Sequence, residues 1–289
     1  MKPRFVSAVL AAVALATGLV TSRAAEAQEI QLTGPLKGAP AVRQERLYRK
    51  GRFEIAPAAS FSLLDEYRRT ILAGGRLTYN ILDWLGIGVW GGFGAASITT
   101  DLTDRIDQAG GAPRDPLTAV NVNHLNNPSG GFAPFAAQAA KLTYVAAPQL
   151  TFVPFRGKLA IFNKIFVDTD FYASGGVAFV GVDERGNCGA PDQLKCSNPN
   201  SFKLTSTSKV TWTAGFGLTF YPANFFSLGV EYRLLPFAWN RAGFDSKGSG
   251  TNGNFPDGRI DGQDEEYVFN QLVTVSLGFY LPTKPKLSE

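Results

Sequence analysis

Five ionisable side chains lie inside otherwise apolar or small-residue stretches: Glu54 in RFEIAPAASFSL, Arg76 in GRLTY, Asp170 in VDTDFYASGG, and Glu231 with Arg233 in VEYRL. Carboxylates and guanidiniums in such settings serve one of two ends. They line a polar path for protons or small ions, or they form a buried ionic network in which opposite charges satisfy one another. The only two cysteines, Cys188 and Cys196, stand together in CGAPDQLKC. In an oxidising compartment they are expected to form a disulfide closing a short loop, with a stabilisation on the order of 2 kcal/mol. Metal binding or redox exchange is the sharper alternative, but no CxxC and no neighbouring histidine supports it.

Two further stretches resemble chemical sites only in part. In NGNFPDGRIDGQDEE, residues 252–266, Asp257, Gly258, Ile260, Asp261 and Asp264 fall at positions five, six, eight, nine and twelve of a calcium-loop pattern. Gly253 and Phe255 occupy the positions of the first and third oxygen ligands, so an acidic, turn-rich loop is the plainer reading. The only histidine, His124 in NVNHLNNPSGG, has no serine in an elbow motif beside it and reads as a solvated loop residue. A lipid-acting enzyme using His124 stays open as an alternative; otherwise no catalytic residue, cofactor or metal is indicated.

The elements that must carry these residues show themselves by period two. In VTWTAGFGLTFY, residues 210–221, Val210, Trp212, Ala214, Phe216, Leu218 and Phe220 share one face, and Thr, Gly and Tyr share the other. Eight such segments occur, at about 51–63, 69–80, 85–98, 141–155, 167–183, 208–221, 226–239 and 267–281. Each is long enough to cross a bilayer as a tilted strand, which takes about 9 to 11 residues. No stretch after the N-terminal region holds 18 consecutive apolar residues, which excludes helical spans. LTYNILDWLGIGV, residues 77–89, returns as LTFYPANFFSLGV, residues 218–230, so one aromatic-lined hairpin turn is used twice. Trp84, Phe225 and Phe226 are expected at a membrane–water boundary.

Connections alternate in length. ILDWL, RGKLAIFNKIF and PANF follow the second, fourth and sixth segments, whereas long polar stretches follow the third, fifth and seventh. Together these features predict an all-β protein: an eight-stranded antiparallel up-and-down transmembrane β-barrel of the outer membrane over 51–282, with both termini periplasmic. Residues 99–140, 184–207 and 240–266 become extracellular loops. A secreted lipocalin-like barrel is the alternative, with its apolar face inward.

The N-terminus supports this location. Lys2 and Arg4 precede an apolar run from Phe5 to Val20, and Ala25-Glu26-Ala27 supplies a cleavage site, so residues 1–27 read as a signal peptide rather than an anchor. Removing Lys2, Arg4, Arg23 and Glu26 leaves 25 basic against 23 acidic residues, a balance that argues against a nucleic-acid partner. Residues 28–50 form a Gly- and Pro-containing periplasmic lead, and 283–289 a short tail. With Arg43, Arg46, Arg49 and Lys50 close together, the lead suits phospholipid head groups or another envelope protein.

GKLAIFNKIFVDTDFYASGG, with RFEIAPAASFSL and LTYNILDWLGIGVWGG, resembles the outer-membrane β-barrel domain family best represented in myxobacteria and related deltaproteobacteria. The likeness covers about residues 30–285. It implies a barrel in the outer membrane and transfers no catalytic residue; the loop insert with two cysteines departs from the family pattern.

In such a barrel Glu54, Arg76, Asp170, Glu231 and Arg233 all face inward, in the periplasmic half. Glu54 stands beside Arg76, and Glu231 and Arg233 lie one strand away across the last strand. The interior of an eight-stranded barrel is just wide enough for side chains, so this mixed-sign cluster is expected to plug it. The expected function is a non-enzymatic structural or interaction role in the cell envelope, with outer-membrane lipids and envelope proteins as partners. A small-solute channel or carrier is the alternative.

Overall fold

A computed structural model of the protein describes residues 49–108, 135–161, 165–196, 198, 201, 203–247 and 257–283. Residues 1–48, 109–134 and 284–289 lie outside it, and with them the signal peptide, most of the lead, His124 and most of the tail. The strands are β1 (Phe53–Leu63), β2 (Arg68–Asn80), β3 (Leu85–Thr99), β4 (Lys141–Ile161), β5 (Ile165–Arg185), β6 (Leu204–Ala223), β7 (Phe226–Trp239) and β8 (Glu266–Leu281). Each pairs antiparallel with its sequence neighbours, and β1 pairs with β8 from Phe53↔Leu281 to Leu63↔Gln271, closing the barrel. All eight predicted segments are therefore strands, and the β1–β8 pairing closes the sheet on itself.

The expected faces are the observed ones. Along β1, Phe53 and Ile55 are exposed while Glu54 and Ala56 are buried. The outer wall is made of large apolar side chains that remain open, among them Val89, Phe93, Leu150, Val210, Trp212 and Val275. An apolar surface that encircles a closed barrel is a misfit in water and a match to hydrocarbon, which makes this a membrane-spanning barrel. The lipocalin-like alternative fails on the same point, because its apolar face would look inward. Among the described residues no helix is long and apolar enough to cross a membrane.

The β4–β5 connection differs from expectation. RGKLAIFNKIF is not a long turn: pairing continues from Phe155↔Phe171 to Ile161↔Ile165, leaving only 162–164 between the strands. The register sets Arg156 opposite Asp170, and opposite charges across a strand pair favour its continuation. Similarly, β6 begins at Leu204, four residues before the expected start.

Both copies of the repeated hairpin turn lie at one rim, here called the short-turn rim, with the first and last strand ends. Trp84 and Phe225 are about half exposed there, at 49% and 48%. At the opposite, long-loop rim stand α1 (Asp101–Gln108), a 3-10 turn at Phe135–Ala137 and the loops after β5 and β7. Those two loops are tied together. Cys188 and Cys196 form a disulfide with Cα atoms 5.0 Å apart, and Cys188 also pairs with Ile260 in an antiparallel bridge. Arg185 donates to the carbonyls of Cys196 and Ser201 in one loop and Gly243 in the other. Phe135 stacks on Phe244 and meets Tyr67 edge-on.

Candidate functional site: the barrel interior

The interior divides into two layers. Toward the long-loop rim it is apolar, with Trp90, Leu142, Val180, Leu235, Phe237 and Trp239 packed in one buried cluster. Sequence parity suggested small and polar inward residues throughout; here the long-loop halves of β4, β5 and β7 turn apolar on both faces, so alternation no longer marks the inside.

Toward the short-turn rim lies the ionic layer. Arg76 on β2 donates through Nη2 to Glu54 Oε1 at 2.7 Å and through Nη1 to the Tyr172 hydroxyl at 2.8 Å, and it reaches Glu231 Oε2 at 3.4 Å. The Tyr172 hydroxyl in turn donates to Glu231 Oε2 at 2.9 Å. Arg233, two residues along β7, donates through Nε to Glu231 Oε1 at 2.7 Å and through Nη2 to Gln149 Oε1 at 2.8 Å. Its remaining partners are the hydroxyls of Thr213 and Ser174. The guanidinium lies 4.1 Å from the Trp90 ring centroid, so Arg233 is the boundary between the ionic and apolar layers. Two glutamates against two arginines make the layer formally neutral, and all four residues are at most 7% exposed.

Strand geometry dictates this meeting. The β1–β2 register sets Ala56 opposite Arg76, placing Glu54 on the diagonal within reach of a long side chain. Gly215 and Gly217 stand opposite Arg233 and Glu231, and Gly217 also stands beside Tyr172. A Cβ on Gly217 would sit 2.8 Å from the Tyr172 ring, so the glycine makes the room in which that ring crosses the lumen.

Asp170 departs from the expected cluster of five. It faces inward but sits nearer the short-turn rim and pairs with Arg49 at 2.5 Å, with Arg156 more distant at 4.0 Å. Arg49 therefore does not belong to a lipid-facing lead. It enters the lumen, its side chain 4% exposed, over the rings of Tyr221 and Tyr280. Parity could not reveal Arg49, since it precedes the first strand; Tyr172, Gln149 and Tyr280 do share inward parity and were legible in principle.

The calcium-loop candidates do not converge. Asp264 accepts the backbone N–H groups of Ser246, Lys247 and Asp261; Asp261 accepts that of Gln263, and Asp257 that of Arg259. These carboxylates cap turns. Among the described residues no group of three or more His, Cys, Asp or Glu side chains has metal-holding geometry. Chemically, the interior holds an ionic network in which each charged group has an opposite partner, while Arg76 Nε and Gln149 Nε2 are buried without a hydrogen-bond acceptor.

No protein-family model matches the chain, and comparison with curated proteins finds no relative. Among solved structures it is similar to the N-terminal β-barrel domain of Pseudomonas aeruginosa OprF, at 8% identity and TM-score 0.40, covering 80% of this chain and 98% of that one. The outer membrane protein OprG of the same organism matches at 10% identity and TM-score 0.40, over 81% and 97% of the two chains. Ail, the attachment invasion locus protein of Yersinia pestis, matches at 12% identity and TM-score 0.29, over 80% and 99%. Likeness at this level concerns the fold alone.

Proposed function

We propose that the protein is an outer-membrane barrel with a closed interior, and that its work is done at the long-loop rim as a structural or interaction protein of the cell envelope. The observation that carries this reading is the double filling of the lumen: a neutral ionic layer and an apolar layer lie in series. Charges already paired leave little field for a passing ion, and an apolar layer strips its water. Supporting it, the loop after β5 is closed by a disulfide and tied to the loop after β7 by the Cys188–Ile260 bridge and Arg185, which suits a surface held ready for a partner.

In this reading residues 1–27 are a signal peptide, both termini are periplasmic, and the loops face the medium. The resemblance to the myxobacterial barrel family points the same way. Outer-membrane lipids surround the wall, envelope proteins are the partners, and neither catalysis nor a nucleic acid is involved. Planar-bilayer recording tests the reading: the purified protein should give no steady current, and large stable single-channel currents would replace it with a channel or carrier.

A further inference from the structure

At the short-turn mouth a side chain from outside the barrel strands enters the lumen. Residues 49–52, Arg-Lys-Gly-Arg, form a tight turn in which the Arg52 N–H donates to the Arg49 carbonyl at 3.0 Å. Gly51 holds φ of +76°, the left-handed conformation that the third residue of such a turn requires. Both copies of the sequence repeat fasten this turn. Asp83 in the first copy accepts the N–H groups of Arg49 and Lys50 at 2.9 and 3.0 Å. Asn224, its counterpart in the second, offers its carbonyl to Arg52 Nη2 at 3.0 Å. Arg52 also donates to the Pro282 carbonyl at 3.1 Å, so the turn bridges the mouth from the β2–β3 side to the chain's exit.

From that bridge Arg49 and Arg52 are both buried; Arg52 covers Tyr280 at 5.0 Å from its ring centroid, and Arg49 reaches the inward carboxylate of Asp170. The Arg49 guanidinium lies 5.2 and 5.9 Å from the ring centroids of Tyr221 and Tyr280, whose hydroxyls are 3.2 Å apart, and it meets the Asp170 carboxylate at 2.5 Å. Two aromatic faces with a single carboxylate recognise a flat, weakly hydrated cation better than an ammonium, because a guanidinium stacks and bonds at once. Lys50, the next residue, stays exposed.

We propose that Tyr221, Tyr280 and Asp170 form a guanidinium-binding socket, filled in cis by Arg49, and that this turn is a removable closure of the short-turn mouth. When Arg49 withdraws, the socket is open to another guanidinium, such as an arginine side chain of a partner. The inference goes beyond the loop-centred reading above and does not depend on whether the barrel conducts.

The test is chemical rescue in the refolded full-length chain. Arg49→Ala should lower the unfolding temperature, and methylguanidinium on the order of 10 mM should recover at least half of that loss by binding the folded form. Methylammonium and sodium chloride at equal ionic strength should recover less than a quarter, the wild type should not respond, and Arg49→Ala with Asp170→Asn should lose the rescue. Equal recovery by sodium chloride, an equal response of the wild type, or an Arg49→Ala protein as stable as the wild type would overturn the socket. If Arg49→Ala does not fold, Asp170→Asn is compared with the wild type by trypsin cleavage after Arg49. At least a tenfold faster cut is expected, and an unchanged rate refutes the closure.

Discussion

Arg76→Ala is the sharpest perturbation of the ionic layer. The guanidinium faces Glu54 at 2.7 Å, Glu231 at 3.4 Å and the Tyr172 hydroxyl at 2.8 Å. Its loss does not affect the two glutamates equally. Glu231 keeps Arg233 at 2.6 Å, whereas Glu54, 3% exposed, loses its guanidinium partner. Removing one member of a buried pair costs about 3 to 5 kcal/mol, and the retained Glu231–Arg233 contact places this variant near the lower figure. For a domain of this size that amounts to a fall in unfolding temperature of roughly 6 to 12 °C. Lys247→Ala is the control: it truncates an exposed loop side chain and should stay within about 0.5 kcal/mol. The assay is thermal unfolding of the refolded barrel, followed by circular dichroism and by heat-dependent gel mobility. Adding Glu54→Gln to Arg76→Ala should restore part of the loss, because the uncompensated charge is then gone. If Arg76→Ala falls no further than Lys247→Ala, or if the double variant is the sum of the two singles, the network reading is wrong.

Gly217→Ala should destabilise the barrel by about 1 to 3 kcal/mol, since the added methyl would lie 2.5 Å from the Val230 carbonyl and 2.8 Å from the Tyr172 ring. Denaturant unfolding as stable as the wild type's would contradict that packing. Cys188 and Cys196 should resist alkylation until reduced, and their joint replacement by Ser should speed amide exchange in the two loops while leaving the strands protected; prompt alkylation of both thiols without reductant means the bond is absent in solution. Burial lifts the Asp245 carboxyl from an ordinary 3.8 to about 6, with Asp264, Asp257 and Asp261 adding to the rise and the Gly258 N–H opposing it. A raised carboxyl pKa means the folded loop binds the proton more tightly than the unfolded one, so loop protection should grow as pH falls from about 6 toward 4 and be level above 6. Asp245→Asn should flatten that dependence, which exchange rates at several pH values can check. Protease added to intact cells should cut within 99–140, 184–207 or 240–266 and spare 82–85; cutting confined to permeabilised cells would reverse the proposed topology.

Much of this molecule is written in local pattern. Alternation of Val210, Trp212, Ala214 and Phe216 with Thr211, Thr213 and Gly215 fixes a strand and both its faces, because side chains repeat every two residues whatever the strand pairs with. Eight such stretches with alternating short and long connections leave an up-and-down barrel as the arrangement that leaves no edge unpaired in a bilayer. Parity also points Glu54, Arg76, Asp170, Glu231 and Arg233 inward, and two cysteines eight residues apart in one loop find each other without help from the rest of the fold.

What the sequence could not state is which inward residues share a level, since that depends on strand tilt and register around the closed wall. Only the closed barrel decides that Asp170 leaves the other four charges for Arg49, and that Tyr172 on β5 joins Arg76 on β2 across the lumen. Nor does alternation reveal the apolar layer above Arg233, because where Leu234, Leu235, Pro236 and Phe237 run together no polar residue marks the inside. Arg49 lies beyond the last alternating residue, and its side chain is drawn inward by a carboxylate and two aromatic faces supplied by three other strands. Period-two pattern determined the wall of this protein; the filling of its lumen was decided by contacts between residues far apart in the chain, which only closure brings within reach.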